Sequence, residues 1–68
     1  MIKYKTVQSS KTTDLIYADG VLIGTIENTW KGYEAYSVTF GYIGIYSTQP
    51  KALTSLQNFL YNRLKTAA

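Results

Sequence analysis

The sequence predicts an α+β domain, an antiparallel β-meander of four or five strands with one carboxy-terminal α-helix packed on one face. Three observations predict it. Up to Tyr46 the chain is built of short runs rich in β-branched and aromatic residues, bounded by turn residues, which is the composition of strands. Asp19-Gly20 separates two apolar runs, the strongest short hairpin signal, because a type I′ turn needs φ > 0 at both central positions. From Ser47 onward the apolar spacing changes to three and four residues, which draws one stripe along a helix.

In order, Ile2 to Val7 alternates apolar and polar residues and reads as the first strand, followed by the polar loop "QSSKTT", residues 8 to 13. "LIYA" and "VLIGTIE" are the two arms of the Asp19-Gly20 hairpin. "NTWKGYE" supplies the next reversal as a loop of three to five residues, with Gly32 available for a left-handed position. Tyr33 to Phe40 is a strand by its Tyr, Val, Thr and Phe content, and Gly41-Tyr42 fits a type II′ turn leading into Ile43 to Tyr46. Ser47 and Thr48 are capping candidates, and Pro50 sits where a first turn tolerates a missing N–H. Leu53, Leu56, Leu60 and Leu64, with Phe59 beside them, form the apolar stripe, and Arg63 and Lys65 place positive charge at the helix end where it complements the dipole.

With 68 residues the chain makes a single domain, 1–68. A chain of this size buries only about 60% of the surface its unfolded form exposes, so its core is thin. It has no cysteine and no histidine, which excludes a thiol nucleophile, an imidazole base and zinc bound by either residue type. No metal or cofactor is expected. The amino terminus lacks a cationic segment leading into an apolar run, and no apolar stretch approaches the roughly 18 to 20 residues of a membrane span, so a soluble cytoplasmic protein is expected. The four acids are Asp14, Asp19, Glu27 and Glu34; the turn explains Asp19, and Asp14 with Glu27 is the one conceivable acid–base pair. The five glycines are spaced as turn and strand residues, not as a phosphate cradle before a helix. No catalytic residue is assigned, and the chain is expected not to be an enzyme.

Alternation gives the first hairpin two apolar faces. With Asp19 and Gly20 at the turn, Ala18 faces Val21, Tyr17 faces Leu22, Ile16 faces Ile23 and Leu15 faces Gly24. One set is then Leu15, Tyr17, Leu22 and Ile26; the other is Ile16, Ala18, Val21 and Ile23. Which set joins the core depends on whether the "NTWKG" loop is odd or even in length, since one residue of register flips every side chain; the first is favoured because Asp14 and Glu27 accompany the second. On the second hairpin Tyr36, Val38, Phe40, Ile43 and Ile45 are expected beneath the helix, leaving Ala35, Ser37, Thr39, Gly44 and Tyr46 outside. One helix covers one face of a sheet, so Ile16, Val21 and Ile23 are expected to form an outward apolar patch. Trp30, Lys31 and Tyr33, in the "TWKGY" loop, are the loop residues expected to make contact, since aromatics offer large rigid area with a polar tip.

"GYEAYSVTFGYIGIYSTQPKALTSLQNFL", residues 32 to 60, resembles two families of phage and mobile-element modules in its succession of aromatic strand, turn, strand, threonine and helix. One is the AP2-like arm-binding domain of phage integrases, which lays its sheet on DNA. The other is the HicB-like domain, in which a "GY.A" strand leads to a "T...AL" helix start. The likeness to the first implies cations on the sheet, yet between Asp14 and Tyr46 only Lys31 is basic. Both resemblances imply a phage or mobile-element origin.

The expected function is that of a non-catalytic protein-binding module, a phage- or mobile-element-encoded modulator or inhibitor, or a homodimer joined through the uncovered face. The alternative is a DNA- or RNA-binding accessory protein that uses Lys3, Lys5, Lys11 and Lys31, within a net charge of +3.

Overall fold

The computed structural model describes residues 2–67, with side chains through Arg63. Five strands precede one helix: β1 (Tyr4–Gln8), β2 (Thr13–Ala18), β3 (Val21–Thr29), β4 (Gly32–Ser37), β5 (Gly41–Tyr46) and α1 (Gln49–Ala67). The strands form one sheet in sequence order, each antiparallel to the next. This is the expected α+β meander with a carboxy-terminal helix. Leu64 and Lys65, assigned to the stripe and the last turn, have side chains outside the described residues.

The first reversal is as expected: Asp19 and Gly20 have φ of 49° and 83°. Asp19 also ties the chain ahead of β1 to this turn, since its Oδ1 accepts from the Lys3 N–H at 3.0 Å and its own N–H donates to the Lys3 carbonyl at 2.8 Å. The second reversal is shorter than expected, with only Trp30 and Lys31 between the paired residues Thr29 and Gly32. The third lies elsewhere. Val38, Thr39 and Phe40 form the turn and Gly41, at φ 84°, opens β5, so the type II′ turn assigned to Gly41-Tyr42 is corrected. The buried Ser37 hydroxyl fixes this turn by accepting the N–H groups of Thr39 and Phe40 at 3.1 and 3.0 Å.

Two β-bulges decide which residues meet the helix. Ala18 pairs with Val21 and Tyr17 with Leu22 as expected, but Ile16 then pairs with Gly24 and Leu15 with Thr25, leaving Ile23 as the extra residue. A bulge of one residue reverses the side-chain parity of everything beyond it. Ile16, Ile23 and Ile26 therefore all turn to the helix, while Leu15, Tyr17 and Leu22 lie on the opposite face. The second bulge leaves Ile43 extra, between the pairs Ala35–Gly44 and Tyr36–Tyr42. Ile43 packs on the core as expected, but Ala35, Ser37, Gly44 and Tyr46 are beneath the helix, and Tyr36, Tyr42 and Ile45 are not.

Size explains the inversion. A helix can approach a sheet closely only where the side chains between them are small, and here it rests on Gly24, Ala35 and Ser37 through its own Ala52 and Leu56. A Cβ on Gly24 would lie 2.9 Å from Leu56 Cδ2. The fully buried core is Ile16, Ile26, Ala35, Ala52 and Leu56, with Ile23, Tyr33, Ile43, Tyr46, Leu53 and Leu60 packed around it. Thr48 caps the helix, its Oγ1 accepting the Lys51 N–H at 3.3 Å. Gln49 Nε2 donates to Asp14 Oδ2 at 3.2 Å and joins the helix start to β2. At the other end Phe40 and Phe59 meet edge to face, ring centroids 5.7 Å apart, under the Arg63 guanidinium. The helix packs against β3, β4 and β5.

Candidate interaction surface

The sheet face away from the helix is set by the register. Across the strands its first row is Lys5, Tyr17 and Leu22; the second is Val7, Leu15, Thr25, Tyr36 and Tyr42; the third is Thr13, Glu27, Glu34 and Ile45. Each member alternates with a residue on the helix side of the sheet. Lys5, Val7 and Tyr17 line one shallow recess together, and the Tyr36 and Tyr42 rings meet edge to face at 5.3 Å. Among these residues Tyr42 (54%), Ile45 (41%), Val7 (38%) and Leu22 (37%) are the most exposed large apolar side chains. The result is a five-strand face whose middle row is apolar and aromatic except at Thr25.

The acids of this face sit directly opposite one another. Glu27 pairs with Glu34 across β3 and β4, an arrangement that places like charges on neighbouring Cβ atoms and opposes folding. The Thr13 hydroxyl donates to Glu27 Oε1 at 3.3 Å and the Tyr36 hydroxyl to Glu34 Oε1 at 3.4 Å. Partial desolvation, reinforced by the charges of Glu34 and Glu27, holds the Tyr36 phenol above its ordinary pKa of 10.0. Asp14 and Glu27, the pair conceivable from sequence, lie on opposite faces of the sheet, because Asp14 pairs with Ile26 and Glu27 with Thr13. Among the described residues no group of three or more metal-ligating side chains occurs.

A second apolar surface lies on the helix side, beside the helix over β1 and β2. It is a recess of about 260 Å³ lined by Tyr4, Ala18, Val21, Ile23, Phe40 and Tyr61, among others. Val21 and Tyr61 are the most open of these.

The residues expected to form an outward patch are thus divided. Ile16 is fully buried and Ile23 packs against the core, a correction that follows from the bulge at Ile23. Val21 alone of the three is open, at 63%. At the opposite end of the sheet Trp30 is 91% exposed at the tip of the β3–β4 hairpin, with Lys31 Nζ 5.2 Å from its ring centre. Tyr33 is not part of that tip, since it packs against the core and pairs with Tyr46. The lysines of the nucleic-acid alternative are spread over the molecule. Lys3 is beside the Asp19–Gly20 turn, Lys5 is on the edge strand, Lys11 is in the β1–β2 loop, and Lys31 is at the Trp30 tip. Alternation alone puts Leu22, Tyr36 and Ile45 in the core and gives Tyr42 no outward role; the bulges at Ile23 and Ile43 set the parity of Leu22 and Tyr42, and the two-residue β3–β4 turn, by pairing Ile26 with Ala35, turns Tyr36 and Ile45 outward.

The geometry defines a small α+β protein in which the helix covers one sheet face over β3 to β5 and leaves the other face open. No family model, no curated protein and no solved structure matches this chain. No helix among the described residues is long and apolar enough to cross a membrane.

Proposed function

We propose that this chain is a non-catalytic protein-binding module that docks through its open sheet face, with the exposed Trp30–Lys31 tip at the margin. The observation that supports this reading is the open face itself, where Tyr42, Ile45, Leu22 and Val7 remain exposed around half-buried Leu15, Tyr17 and Tyr36. Burial of one large apolar side chain contributes on the order of 1.5 to 3 kcal/mol. These side chains are already about half covered, so each contributes roughly half of that on docking, and lost translational and side-chain freedom opposes the sum. The sheet presents this face on rigid strands, so little ordering is lost on docking.

Site-specific photocrosslinking tests the reading. A photoreactive residue in place of Tyr42 is expected to give a covalent adduct of discrete mass in the producing cell, whereas one in place of Asn58, on the exposed side of the helix, is expected to give none. Equal crosslinking from both positions, or none from Tyr42, would refute docking by this face.

A further inference from the structure

On that reading of the open face, we infer that its occupant is a second copy of the same chain, packed face to face about a two-fold axis that sets Lys5 of each copy against Glu27 and Glu34 of the other. Charge placement carries this inference. The carboxylates of Glu27 and Glu34 stand directly across from one another on a largely apolar face, and their hydrogen bonds within the chain come from the hydroxyls of Thr13 and Tyr36. A surface that docks on them must bring a cation, because a carboxylate removed from water without one is strongly disfavoured.

The face carries its own cation at the opposite corner. Lys5 pairs with Tyr17 in the first row, and the two glutamates occupy the third. From Lys5 to the midpoint of the two glutamates is about two and a half strand spacings across, roughly 12 Å, and about four residues along, roughly 13 Å. The midpoint of that diagonal falls between the paired residues Leu15 and Thr25, within the apolar row. An axis in the plane of contact, through that midpoint and perpendicular to the diagonal, exchanges the two corners. One operation satisfies both copies, as an isologous interface requires.

The diagonal runs about midway between the strand direction and the direction across the sheet, so the two sheets cross near a right angle, one of the two arrangements that face-packed sheets adopt. The size of the face suits this. Five strands about 4.8 Å apart and six residues about 3.3 Å apart give roughly 24 by 20 Å, and a quarter turn about an axis lying nearer β2 than the central strand keeps roughly 18 by 18 Å of overlap. That is on the order of 330 Å² in plan, which with side-chain relief falls among the small, weak interfaces of under roughly 600 Å² per partner.

A charge exchange tests the inference. Sedimentation equilibrium over a dilution series is run on the wild type, on Lys5→Glu, on the double variant Glu27→Lys with Glu34→Lys, on an equimolar mixture of these two, and on Tyr42→Asp, with far-UV circular dichroism as the check that each is folded. The wild type is expected to dimerise, and each charge variant alone to lose affinity by about tenfold or more. The mixture is expected to recover the dimer. There the carboxylate introduced by Lys5→Glu meets the two lysines introduced in the other chain, while the unaltered Lys5 of that chain meets Glu27 and Glu34 of the first. A wild type that stays monomeric to about millimolar concentration, or folded variants whose mixture does not recover, would overturn the inference. If Tyr42→Asp dissolves a wild-type dimer that the charge variants leave intact, the two-fold register fails while docking by the open face stands. A dimer indifferent to Tyr42→Asp as well would sink both.

Discussion

Gly24→Ala measures how closely the helix must sit on the sheet. A Cβ at this position would lie 2.9 and 3.1 Å from the two methyl carbons of Leu56 and against the carbonyl oxygen of Tyr36. The Leu56 side chain can rotate, although it is fully buried and has little room to do so. The Tyr36 carbonyl belongs to the backbone of β4, which is paired to β3 on one side and β5 on the other, and cannot yield without disturbing the sheet. Overpacking of this kind destabilises by about 1 to 3 kcal/mol, and the loss of glycine freedom in the unfolded chain returns about 0.4 to 1. A net loss of about 1.5 kcal/mol is therefore expected. At roughly 0.05 to 0.15 kcal/mol per residue, a chain of this length has about 3 to 10 kcal/mol in total, so the loss is a large share. It corresponds to a fall in Tm of about 6 to 12 °C. Thermal and urea unfolding followed by far-UV circular dichroism measures it, with Gly44→Ala as the comparison. There the new Cβ would meet the hydroxyl end of the Tyr46 side chain at 2.9 Å, which can swing aside. A Gly24→Ala protein within about 0.5 kcal/mol of wild type, or a Gly44→Ala protein equally damaged, would refute close approach at Gly24 as the constraint that orders this core.

Thr48→Ala removes the hydroxyl that accepts the Lys51 N–H and is expected to lower stability by about 0.5 to 2 kcal/mol in urea unfolding, with Thr48→Ser close to wild type. The Tyr36 pKa is raised in the folded chain, so its contribution to stability is complete below the ordinary tyrosine value and is lost as pH rises through the folded value. Titration of the phenolate absorbance, compared between wild type and Glu34→Gln, should show the Tyr36 step moving back towards the ordinary value in the variant. Glu27→Gln ends the opposition of charge across β3 and β4 and is expected to stabilise the dilute single chain by about 0.2 to 1 kcal/mol at neutral pH. Urea unfolding at neutral pH, at concentrations where the chain is a single copy, measures that gain.

Much of the fold is legible in the sequence because its signals are local. Asp19-Gly20 needs two positive φ values, Thr48 and Pro50 mark a helix start, and the leucine spacing marks a helix face; none of these depends on distant partners. The identity of the open face is not legible, because it depends on the parity of each strand, and one extra residue at Ile23 and another at Ile43 reset that parity. Neither isoleucine differs in type from its neighbours, so nothing in the local sequence marks it as the bulged one. Hydrophobicity also misleads. It assigns the largest side chains of β4 and β5 to the core, but a helix packed this closely needs small residues under it, and Ala35, Ser37 and Gly44 supply them. Ala52 on the helix escapes the leucine spacing for the same reason.

The apolar open face is thus tied to the core rather than added to it. Because strand residues alternate, each small residue that lets the helix approach has a neighbour directed outward: Ala35 is followed by Tyr36 and Gly44 by Ile45, and Ile16 is flanked by Leu15 and Tyr17. A sheet that served only to carry the helix would be free to place charged or short polar residues at those outward positions, as antiparallel sheets with one solvated face commonly do. This one places aromatic and branched residues there and sets two glutamates against each other among them. Both choices act against the isolated chain, the first by exposing apolar surface and the second by repulsion, and both act in favour of a complex whose partner covers the row and brings a cation. Lys5→Gln is therefore expected to leave the monomer within about 0.5 kcal/mol of wild type while weakening the dimer, and a single substitution distinguishes a face retained for association from one that merely backs the fold.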